Sequence, residues 1–290
     1  MVTLRRPSWL NKRIILDNKY IEIQKMLKRK GLHTICEEAL CPNIYECFSK
    51  KTATFLILGR YCTRNCRFCA VRHGKPKAPD PQEPILVAEA VRDMGLEHVV
   101  ITSVTRDDLP DGGASHFAKT IGKIREMNPN TTVEVLIPDF RGSTEDISTV
   151  LDAGPDIINH NLETVPRLYP RVRPGADYNR SLNLLRQIRS LSPTIHTKSG
   201  LMLGLGERED DVKKVLEDLI DAGCEALTLG QYLQPTKMHI KVERYILPYE
   251  FEEWKRYALE LGFISVSSGP FVRSSYNAKE LLKTLILHTS

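Results

Sequence analysis

Short apolar runs alternate with amphipathic stretches along the chain from residue 52 onward. Near-continuous apolar or β-branched runs, typical of strands covered on both faces, predict six strands near residues 54–58, 98–104, 133–137, 157–161, 199–203 and 226–231. Between them, apolar residues recur at helical spacing, as at Val87, Ala90, Val91 and Met94. This order predicts six successive βα units around a parallel sheet, which forms either a barrel or an open sheet.

The two ends of the chain differ from this repeating region. Residues 1–50 combine a basic amphipathic stretch, ended by Gly31, with a loop-like run of cysteines. Residues 263–266 predict one more strand, and a helix is predicted after Pro248 with its apolar face at Phe251, Trp254, Ala258 and Leu261. Polar sequences follow each predicted strand, where the working residues of βα folds collect. We therefore expect one large shared site at these loops.

Composition and charge narrow the possible functions. The 290 residues carry a net charge of +5, with 27% charged and 41% hydrophobic residues, which excludes global disorder. No apolar run approaches the roughly 18 residues of a membrane span. The first residues lack a secretory apolar segment, so we expect a cytoplasmic protein without membrane association, in which disulfides are rare.

Cysteine is the most informative residue type, because six of the seven cysteines fall into two triplets. The triplets are Cys36-x4-Cys41-x5-Cys47 and Cys62-x3-Cys66-x2-Cys69. Three thiolates on a short loop can bind one face of an iron–sulfur cubane and leave one iron open. A structural zinc site is the alternative, although such a site needs four ligands. Cys224 stands apart and is expected to be a buried apolar thiol.

The second triplet, with the aromatic Phe68 before its last cysteine, resembles the signature of the radical S-adenosylmethionine superfamily. A second pattern is similar to the superfamily's adenosine-contacting motif, with Met in place of Ile: Gly200-x-Met202-x-Gly204-x-x-Glu207. The resemblance implies a 4Fe-4S cluster on the second triplet, whose open iron binds S-adenosylmethionine. One electron from such a cluster cleaves S-adenosylmethionine to a 5′-deoxyadenosyl radical.

Over nearly its whole length the chain resembles the lipoyl synthase family. The first triplet matches the family's auxiliary-cluster motif, and residues 273–276, Arg-Ser-Ser-Tyr, match its carboxyl-terminal motif. Further family-like segments are residues 105–113, 135–140, 160–165, 197–202 and 230–236. The resemblance implies two 4Fe-4S clusters, the auxiliary one held by Cys36, Cys41, Cys47 and Ser275. From the residues alone, a turn or cap role is favoured for Ser275, and Ser274 competes with it as the ligand; only the family pattern prefers Ser275.

The same resemblance implies an α/β fold, namely a partial (β/α)6 TIM-type barrel with terminal extensions that cover the barrel mouth. We expect an N-terminal extension over residues 1–50, which carries the auxiliary-cluster cysteines. The radical S-adenosylmethionine barrel would span residues 51–268, and a C-terminal extension over residues 269–290 would carry the serine ligand.

The reaction implied by the resemblance is radical insertion of two sulfur atoms at carbons 6 and 8 of a protein-bound octanoyl-lysine. It uses two S-adenosylmethionine molecules and sulfur from the auxiliary cluster. The implied partners are octanoylated lipoyl carrier proteins (lipoyl domains of 2-oxoacid dehydrogenases or the glycine cleavage H protein), ferredoxin or flavodoxin as electron donor, and an iron–sulfur carrier for cluster renewal. A radical enzyme whose second cluster only relays electrons and a zinc-binding interaction protein are the alternatives.

Polar residues after the predicted strands are the candidate cofactor contacts. We expect Asn161 and Glu163 to hydrogen-bond S-adenosylmethionine or its neighbours, and Arg173 to bind a carboxylate, because Arg offers a bidentate fork. Thr102 and Ser103 stand where many relatives carry a Gly-Gly-Glu motif that binds the amino group. A satisfied polar strand end is the alternative for Asn161 and Glu163.

Basic residues form two local groups. The groups are Lys25, Lys28, Arg29 and Lys30, and Arg167, Arg171 and Arg173. The first group predicts steering of an acidic carrier protein, and a solvated helix face is the alternative. No nucleic-acid recognition motif accompanies either group, so no nucleic-acid partner is expected.

Overall fold

The chain divides into two compact units, each with its own core. The computed structural model describes residues 5–12, 18–50 and 52–289. The N-terminal unit comprises Arg13–Arg64 and Ala70–Ile158, and the C-terminal unit comprises Met1–Lys12, Asn65–Cys69 and Asn159–Ser290. The three-part division expected from the sequence stays a prediction.

The N-terminal unit is built on a sheet with the strand order β1-β2-β5-β6-β7. Strands β2, β5 and β6 are parallel, while the short β1 is antiparallel to β2 and the two-residue β3 and β4 pair separately. The strands are β1 (His33–Thr34), β2 (Thr54–Ile57), β3 (Tyr61–Cys62), β4 (Arg72–His73), β5 (His98–Ser103), β6 (Thr132–Leu136) and β7 (Ile157–Asn159). The helices are α1 (Asn18–Arg29), α2 (Ile35–Glu38), α3 (Ile44–Ser49), α4 (Glu83–Met94), α5 (Ala114–Met127) and α6 (Thr144–Asp152).

The C-terminal unit repeats the same βα order. Strands β8 (His196–Leu203), β9 (Ala226–Gln231) and β10 (Ser265–Gly269) are parallel, with Met202 opposite Gly230 and Gly230 opposite Gly269. The helices are α7 (Tyr169–Val172), α8 (Tyr178–Leu191), α9 (Glu209–Asp221), α10 (Pro248–Leu261) and α11 (Ala278–Thr289). Of all described helices, none is long and apolar enough to cross a membrane.

Six strands of the two units follow the sequence prediction, each with a helix after it. The two predicted apolar faces lie on α4 and α10, and Pro248 is the first residue of α10. Strand β8 begins at His196, three residues before the predicted Ser199. Its first residues are polar, and tertiary partners satisfy them. His196 Nδ1 lies 2.7 Å from Glu225 Oε2, and Thr197 Oγ1 donates to the Gly223 carbonyl at 2.7 Å. The last strand runs later than predicted, over β10.

Residue 230 has to be a glycine, because residues 272–273 cross it closely. A Cβ at Gly230 would collide with the Val272 carbonyl oxygen and would lie 3.1 Å from the Val272 carbonyl carbon. Backbone atoms of this kind cannot rotate away, so any side chain here would displace residues 272–273 from β9.

We expect Gly230→Ala to lower the free energy of unfolding by about 1 to 3 kcal/mol, the usual cost of overpacking. Gly122→Ala is the matched control, because a Cβ there meets nothing within 4 Å in helix α5. This control should stabilise the protein by up to about 1 kcal/mol. Urea denaturation of both variants tests the pair, and equal stability of Gly230→Ala and the parent protein would contradict the steric argument.

Candidate active site

The cysteines of the first triplet lie together in the N-terminal unit. Cys36 is buried in α2, while Cys41 and Cys47 are partly exposed. Thr34 caps α2 by accepting a hydrogen bond from the Glu37 amide, and the Cys41 amide donates to the Cys36 carbonyl at 3.0 Å. Burial raises the pKa of the Cys36 thiol to about 12, and the nearby charges of Cys41 and Cys47 add to the rise. Three neighbouring thiols, one of them buried, are a donor set that fits a cationic group.

Cys62 of the second triplet ends β3, and several hydrogen bonds fix it and the loop that follows it. Its Sγ accepts hydrogen bonds from the Arg64 amide at 3.4 Å and the Thr105 amide at 3.3 Å. The adjacent Thr63 donates both its amide and its hydroxyl to the Thr105 carbonyl at 3.0 Å, and its hydroxyl accepts from the Asp107 amide. The loop of Cys62 is therefore fixed against the loop that follows β5.

Arg64 completes this attachment through two carboxylates. Its guanidinium donates two hydrogen bonds to Asp107, at 2.8 and 2.9 Å, and two to Asp139, at 2.8 and 2.7 Å. Asp139 is only 1% exposed, so the pairing is largely shielded from water. Burial opposes both charges, but the pairing raises the pKa of Arg64 and lowers the pKa of Asp107, to which Arg141 also contributes. Arg64 thus joins the cysteine loop to the ends of β5 and β6.

Cys66 and Cys69 belong to the C-terminal unit, in the segment Asn65–Cys69. The Arg67 amide donates to the Val172 carbonyl at 2.9 Å, and the Arg67 carbonyl accepts from the Ile240 amide at 3.0 Å. The Cys69 carbonyl lies 3.1 Å from His239 Nε2. The end of α7 and the loop at His239 and Ile240 therefore hold the segment, in which Phe68 is partly exposed.

Among the described residues, no three His, Cys, Asp or Glu side chains form a group that could hold one metal ion. In an iron–sulfur cubane each thiolate binds a different iron, so this finding concerns mononuclear sites only.

Asn161, Glu163 and Arg173 form one hydrogen-bonded group in the C-terminal unit. Asn161 Nδ2 donates to Glu163 Oε1 at 3.0 Å, and Arg173 Nη1 donates to the carbonyl oxygens of Asn161 and Leu162, each at 2.9 Å. Arg173 Nη1 also contacts the Tyr169 hydroxyl at 3.0 Å. Arg173 Nε is buried without a hydrogen-bond partner among the described residues. The structure therefore brings these three predicted residues together and leaves a buried donor for a further group.

Glu163 occupies an unusual position. Its backbone has φ of +65°, a left-handed conformation that costs energy for a residue with a side chain. Two hydrogen bonds to β8 hold it there, from the Glu163 amide to the Gly200 carbonyl and from the Met202 amide to the Glu163 carbonyl, both at 2.9 Å. Burial raises the pKa of Glu163, although Arg173 and the bond from Asn161 oppose the rise. Strain and a costly buried carboxyl in one residue are typical of functional positions.

The predicted adenosine-contacting residues form the end of β8 and the turn after it. A Cβ at Gly200 would collide with Thr228 Oγ1 and would lie 3.0 Å from Asn161 Oδ1. Gly204 has φ of +101°, and the Glu207 carboxylate accepts hydrogen bonds from the Gly204 amide at 2.5 Å and the Leu205 amide at 2.9 Å. Glu207 therefore shapes this turn through backbone amides. Met202 lies within β8 opposite Gly230 and is partly exposed.

Thr102 and Ser103 end strand β5 in the N-terminal unit. The Thr102 hydroxyl is already committed, because it donates to the Leu136 carbonyl at 2.9 Å and the residue is 5% exposed. In contrast, Ser103 Oγ is buried and has no hydrogen-bond partner among the described residues. Of the two, Ser103 is the one with a hydroxyl available for a cofactor.

The two serines of residues 273–276 have different surroundings. The Ser274 hydroxyl donates to Asn161 Oδ1 at 2.8 Å and accepts from Asn159 Nδ2 at 3.2 Å. Ser275 lies in the following turn, is partly exposed, and its hydroxyl has no hydrogen-bond partner among the described residues. Only Ser275 therefore keeps its oxygen free for a ligand.

The predicted basic groups are mostly neutralised. Lys30 pairs with Glu89 and Asp93, Arg167 pairs with Asp211, and Arg171 pairs with Glu243, so these residues add little free positive charge to the surface. Arg173 belongs to the buried group described above. The exposed basic residues that remain are Lys25, Lys28 and Arg29 on α1. Cys224 is 3% exposed with a raised pKa caused by burial, which confirms that it is a buried thiol.

Two functional candidates escaped the sequence interpretation. The pairing of Arg64 with Asp139 fixes the loop of Cys62, but no sequence pattern pointed to either residue. The available sequence signal was an arginine inside the ligand loop, because a guanidinium that the fold covers needs a carboxylate partner.

Comparisons with known proteins agree on one family. Residues 56–219 match the Radical SAM superfamily. A curated lipoyl synthase of Caldicellulosiruptor bescii is 55% identical over 288 residues, which cover 98% of this chain and 99% of the relative. A lipoyl synthase of Haemophilus influenzae is 53% identical over 277 residues, covering 95% and 87%. The solved structure of Streptococcus suis SuiB bound to precursor peptide SuiA has a TM-score of 0.60 at 12% identity and covers 96% of this chain and 60% of that chain. This last likeness concerns the fold alone, and it confirms the predicted α/β class of partial TIM-type barrel.

We expect Asp139→Asn to lower the free energy of unfolding by about 3 kcal/mol, because it leaves a largely buried guanidinium with half of its charge compensation. Asp93→Asn is a matched control, since Asp93 is likewise one of two carboxylates on a single cation, Lys30, but is 38% exposed. The control should cost less than about 1 kcal/mol. Chemical denaturation measures both, and a similar loss in the two variants would show that burial of the Arg64 pairing has no special weight.

Glu163 predicts a defined pH dependence of stability. The folded-state pKa is raised above its ordinary value of 4.5, so the folded protein binds the proton more tightly than the unfolded chain. The stability of the parent protein relative to Glu163→Gln should therefore rise as the pH falls from 7 through the raised pKa, and should level off below 4.5. Glu209→Gln is the control of opposite sign, because Lys213 lowers the pKa of Glu209. Denaturation curves from pH 4 to 7 test both signs, and a flat difference for Glu163→Gln would contradict the assignment.

Proposed function

Because this chain belongs to the lipoyl synthase family of the radical S-adenosylmethionine superfamily, we propose that it inserts two sulfur atoms at carbons 6 and 8 of a protein-bound octanoyl-lysine. The family match over 98% of the chain carries this proposal. The superfamily implies a 4Fe-4S cluster and S-adenosylmethionine, which together supply a carbon-centred radical for C–H groups that no general base can activate.

Cys62, Cys66 and Cys69 are the proposed ligands of the radical-generating cluster. The amides of Arg64 and Thr105 donate to Cys62 Sγ and would help to hold it in place as a ligand. Phe68, Ser103, Asn161, Glu163 and Arg173 are proposed contacts of S-adenosylmethionine. Thr102 is assigned to support Ser103 from the same strand, and the β8 residues Gly200, Met202, Gly204 and Glu207 are assigned to the adenosine side.

A second, auxiliary 4Fe-4S cluster on Cys36, Cys41, Cys47 and Ser275 is the proposed sulfur source. The closeness of the three thiols and the uncommitted Ser275 hydroxyl support it. Ser274 is disfavoured, because its hydroxyl is used by Asn159 and Asn161. An alkoxide oxygen is a harder ligand than a thiolate, so the iron on Ser275 would be the easiest one to detach. The terminal extensions, residues 1–50 and 269–290, would then bring the ligands of this cluster to the barrel of residues 51–268.

Octanoylated lipoyl carrier proteins are the proposed macromolecular substrates. The exposed Lys25, Lys28 and Arg29 of α1 supply a basic surface that suits an acidic carrier domain. Ferredoxin or flavodoxin as reductant, an iron–sulfur carrier for cluster renewal, and a cytoplasmic location stay predictions from the family.

The proposal is tested with an octanoyl-lysyl peptide, S-adenosylmethionine and reductant under anaerobic conditions. We expect about eight irons per chain and a peptide that gains two sulfur atoms by mass spectrometry. Cys36→Ala should keep about four irons and still form 5′-deoxyadenosine at saturating S-adenosylmethionine, but transfer no sulfur. Cys62→Ala should form no 5′-deoxyadenosine, and Cys224→Ala, which removes a buried thiol outside both triplets, should retain sulfur transfer.

Two outcomes would overturn the assignment. Bound zinc without iron would favour a zinc-binding interaction protein. Iron and sulfide that stay constant while lipoyl product accumulates would make the auxiliary cluster an electron relay.

A further inference from the structure

Ser274 connects the carboxyl-terminal segment to the candidate cofactor residues. Its single hydroxyl hydrogen goes to Asn161 Oδ1 at 2.8 Å, and its oxygen accepts from Asn159 Nδ2 at 3.2 Å. Asn159 is fully buried and Asn161 is 8% exposed, so neither bond is readily replaced by bulk water.

The bond from Ser274 determines the orientation of the Asn161 amide. With Oδ1 directed to Ser274, Nδ2 faces Glu163 and donates to its Oε1 at 3.0 Å. The reverse amide orientation would place a donor against the Ser274 hydroxyl hydrogen and an acceptor against a carboxylate. Ser274 thereby acts on Glu163 through Asn161.

The segment that carries Ser274 has a defined seat on the C-terminal unit. The Val272 carbonyl packs against Gly230 where a Cβ would otherwise lie. The Val272 amide donates to the Gly269 carbonyl at 3.0 Å, and the Tyr276 amide donates to the Arg273 carbonyl at 2.9 Å. The charge of Arg273 reaches Glu163 and favours its ionised form. Two residues of one turn, Arg273 and Ser274, therefore influence the same carboxyl.

We infer that Ser274 is a positioning residue that couples occupancy of the auxiliary cluster to the affinity for S-adenosylmethionine. The inference rests on the proposed function, in which Ser275 is a cluster ligand. An iron on Ser275 would restrain the turn and strengthen the hold of Ser274 on Asn161, so Asn161 and Glu163 would be set for the cofactor more fully when the sulfur source is loaded. By linkage, S-adenosylmethionine must stabilise the loaded turn by the same factor. The arrangement limits radical formation when no sulfur is available.

A thermodynamic cycle tests the coupling without turnover. The dissociation constant of S-adenosylmethionine is measured by anaerobic equilibrium binding, without reductant or octanoyl peptide, on reconstituted parent protein, Ser274→Ala, Cys36→Ala and the double variant. We expect Ser274→Ala to weaken binding about tenfold, the change expected from one buried hydrogen bond, while keeping about eight irons. Cys36→Ala should weaken binding by a similar factor, and the double variant should bind no worse than Ser274→Ala.

Three results would overturn the inference: unchanged binding by Ser274→Ala, loss of about four irons in Ser274→Ala, or additive losses in the double variant. Ser274→Thr keeps the hydroxyl and should bind within about threefold of the parent; equal losses in Thr and Ala variants would exclude the hydroxyl as the cause. Calorimetric melting temperatures confirm that each variant is folded. A parent protein that binds S-adenosylmethionine but inserts no sulfur would remove the proposed function, whereas normal insertion with unchanged binding in Ser274→Ala would remove only the coupling.

Discussion

The pairing of Arg64 with Asp107 and Asp139 is the constraint on which the candidate site depends. A guanidinium and a carboxylate that leave water lose several kcal/mol of hydration each, so such a group persists only when every charge is matched. Here four hydrogen bonds satisfy Arg64, and Arg141 adds a second positive charge beside Asp107, which leaves two cations facing two anions. Because Asp107 and Asp139 follow adjacent parallel strands, the pairing transfers the rigidity of the sheet to the loop of Cys62.

The C-terminal unit also satisfies buried polar groups through one another, here a guanidinium, a carboxyl and amide groups. Asn161, Glu163 and Arg173 are connected by hydrogen bonds, and Ser274 fixes the orientation of the Asn161 amide. Burying the Glu163 carboxyl is unfavourable, as its raised pKa shows, and the left-handed backbone adds strain. Packing against β8 supplies the stabilisation that makes this arrangement tolerable. Pre-organisation of this kind leaves little reorganisation to be made when a cofactor binds.

The sequence predicted most of the fold, because buried parallel strands and amphipathic helices both leave strong apolar patterns. It failed where polar residues are buried: the first residues of β8 gave no apolar signal, since His196 and Thr197 are satisfied by tertiary partners. The two cysteine triplets, the proposed ligand sets, were recognised from their spacing, which is a local property. Arg64 and Asp139 were missed because their pairing joins residues 75 positions apart, and no local pattern encodes such a contact. The roles of Ser274 and Ser275 likewise separate only when their hydrogen bonds are known.

The two cysteine triplets differ in how firmly the chain holds them. This difference suits the two proposed clusters, of which one is retained and the other is consumed. Cys62 accepts two amide–sulfur hydrogen bonds, and the ion pairs of Arg64 fix the loop that follows it, which suits the proposed radical-generating cluster. Cys36 and Cys47 lie in helices of only four and six residues, lengths that cannot sustain a helix in isolation. Their geometry therefore depends on packing and on whatever they bind. A ligand set that is easily rearranged and a serine oxygen without other commitments are properties that favour removal and replacement of a cluster, whereas a pre-formed loop favours keeping one.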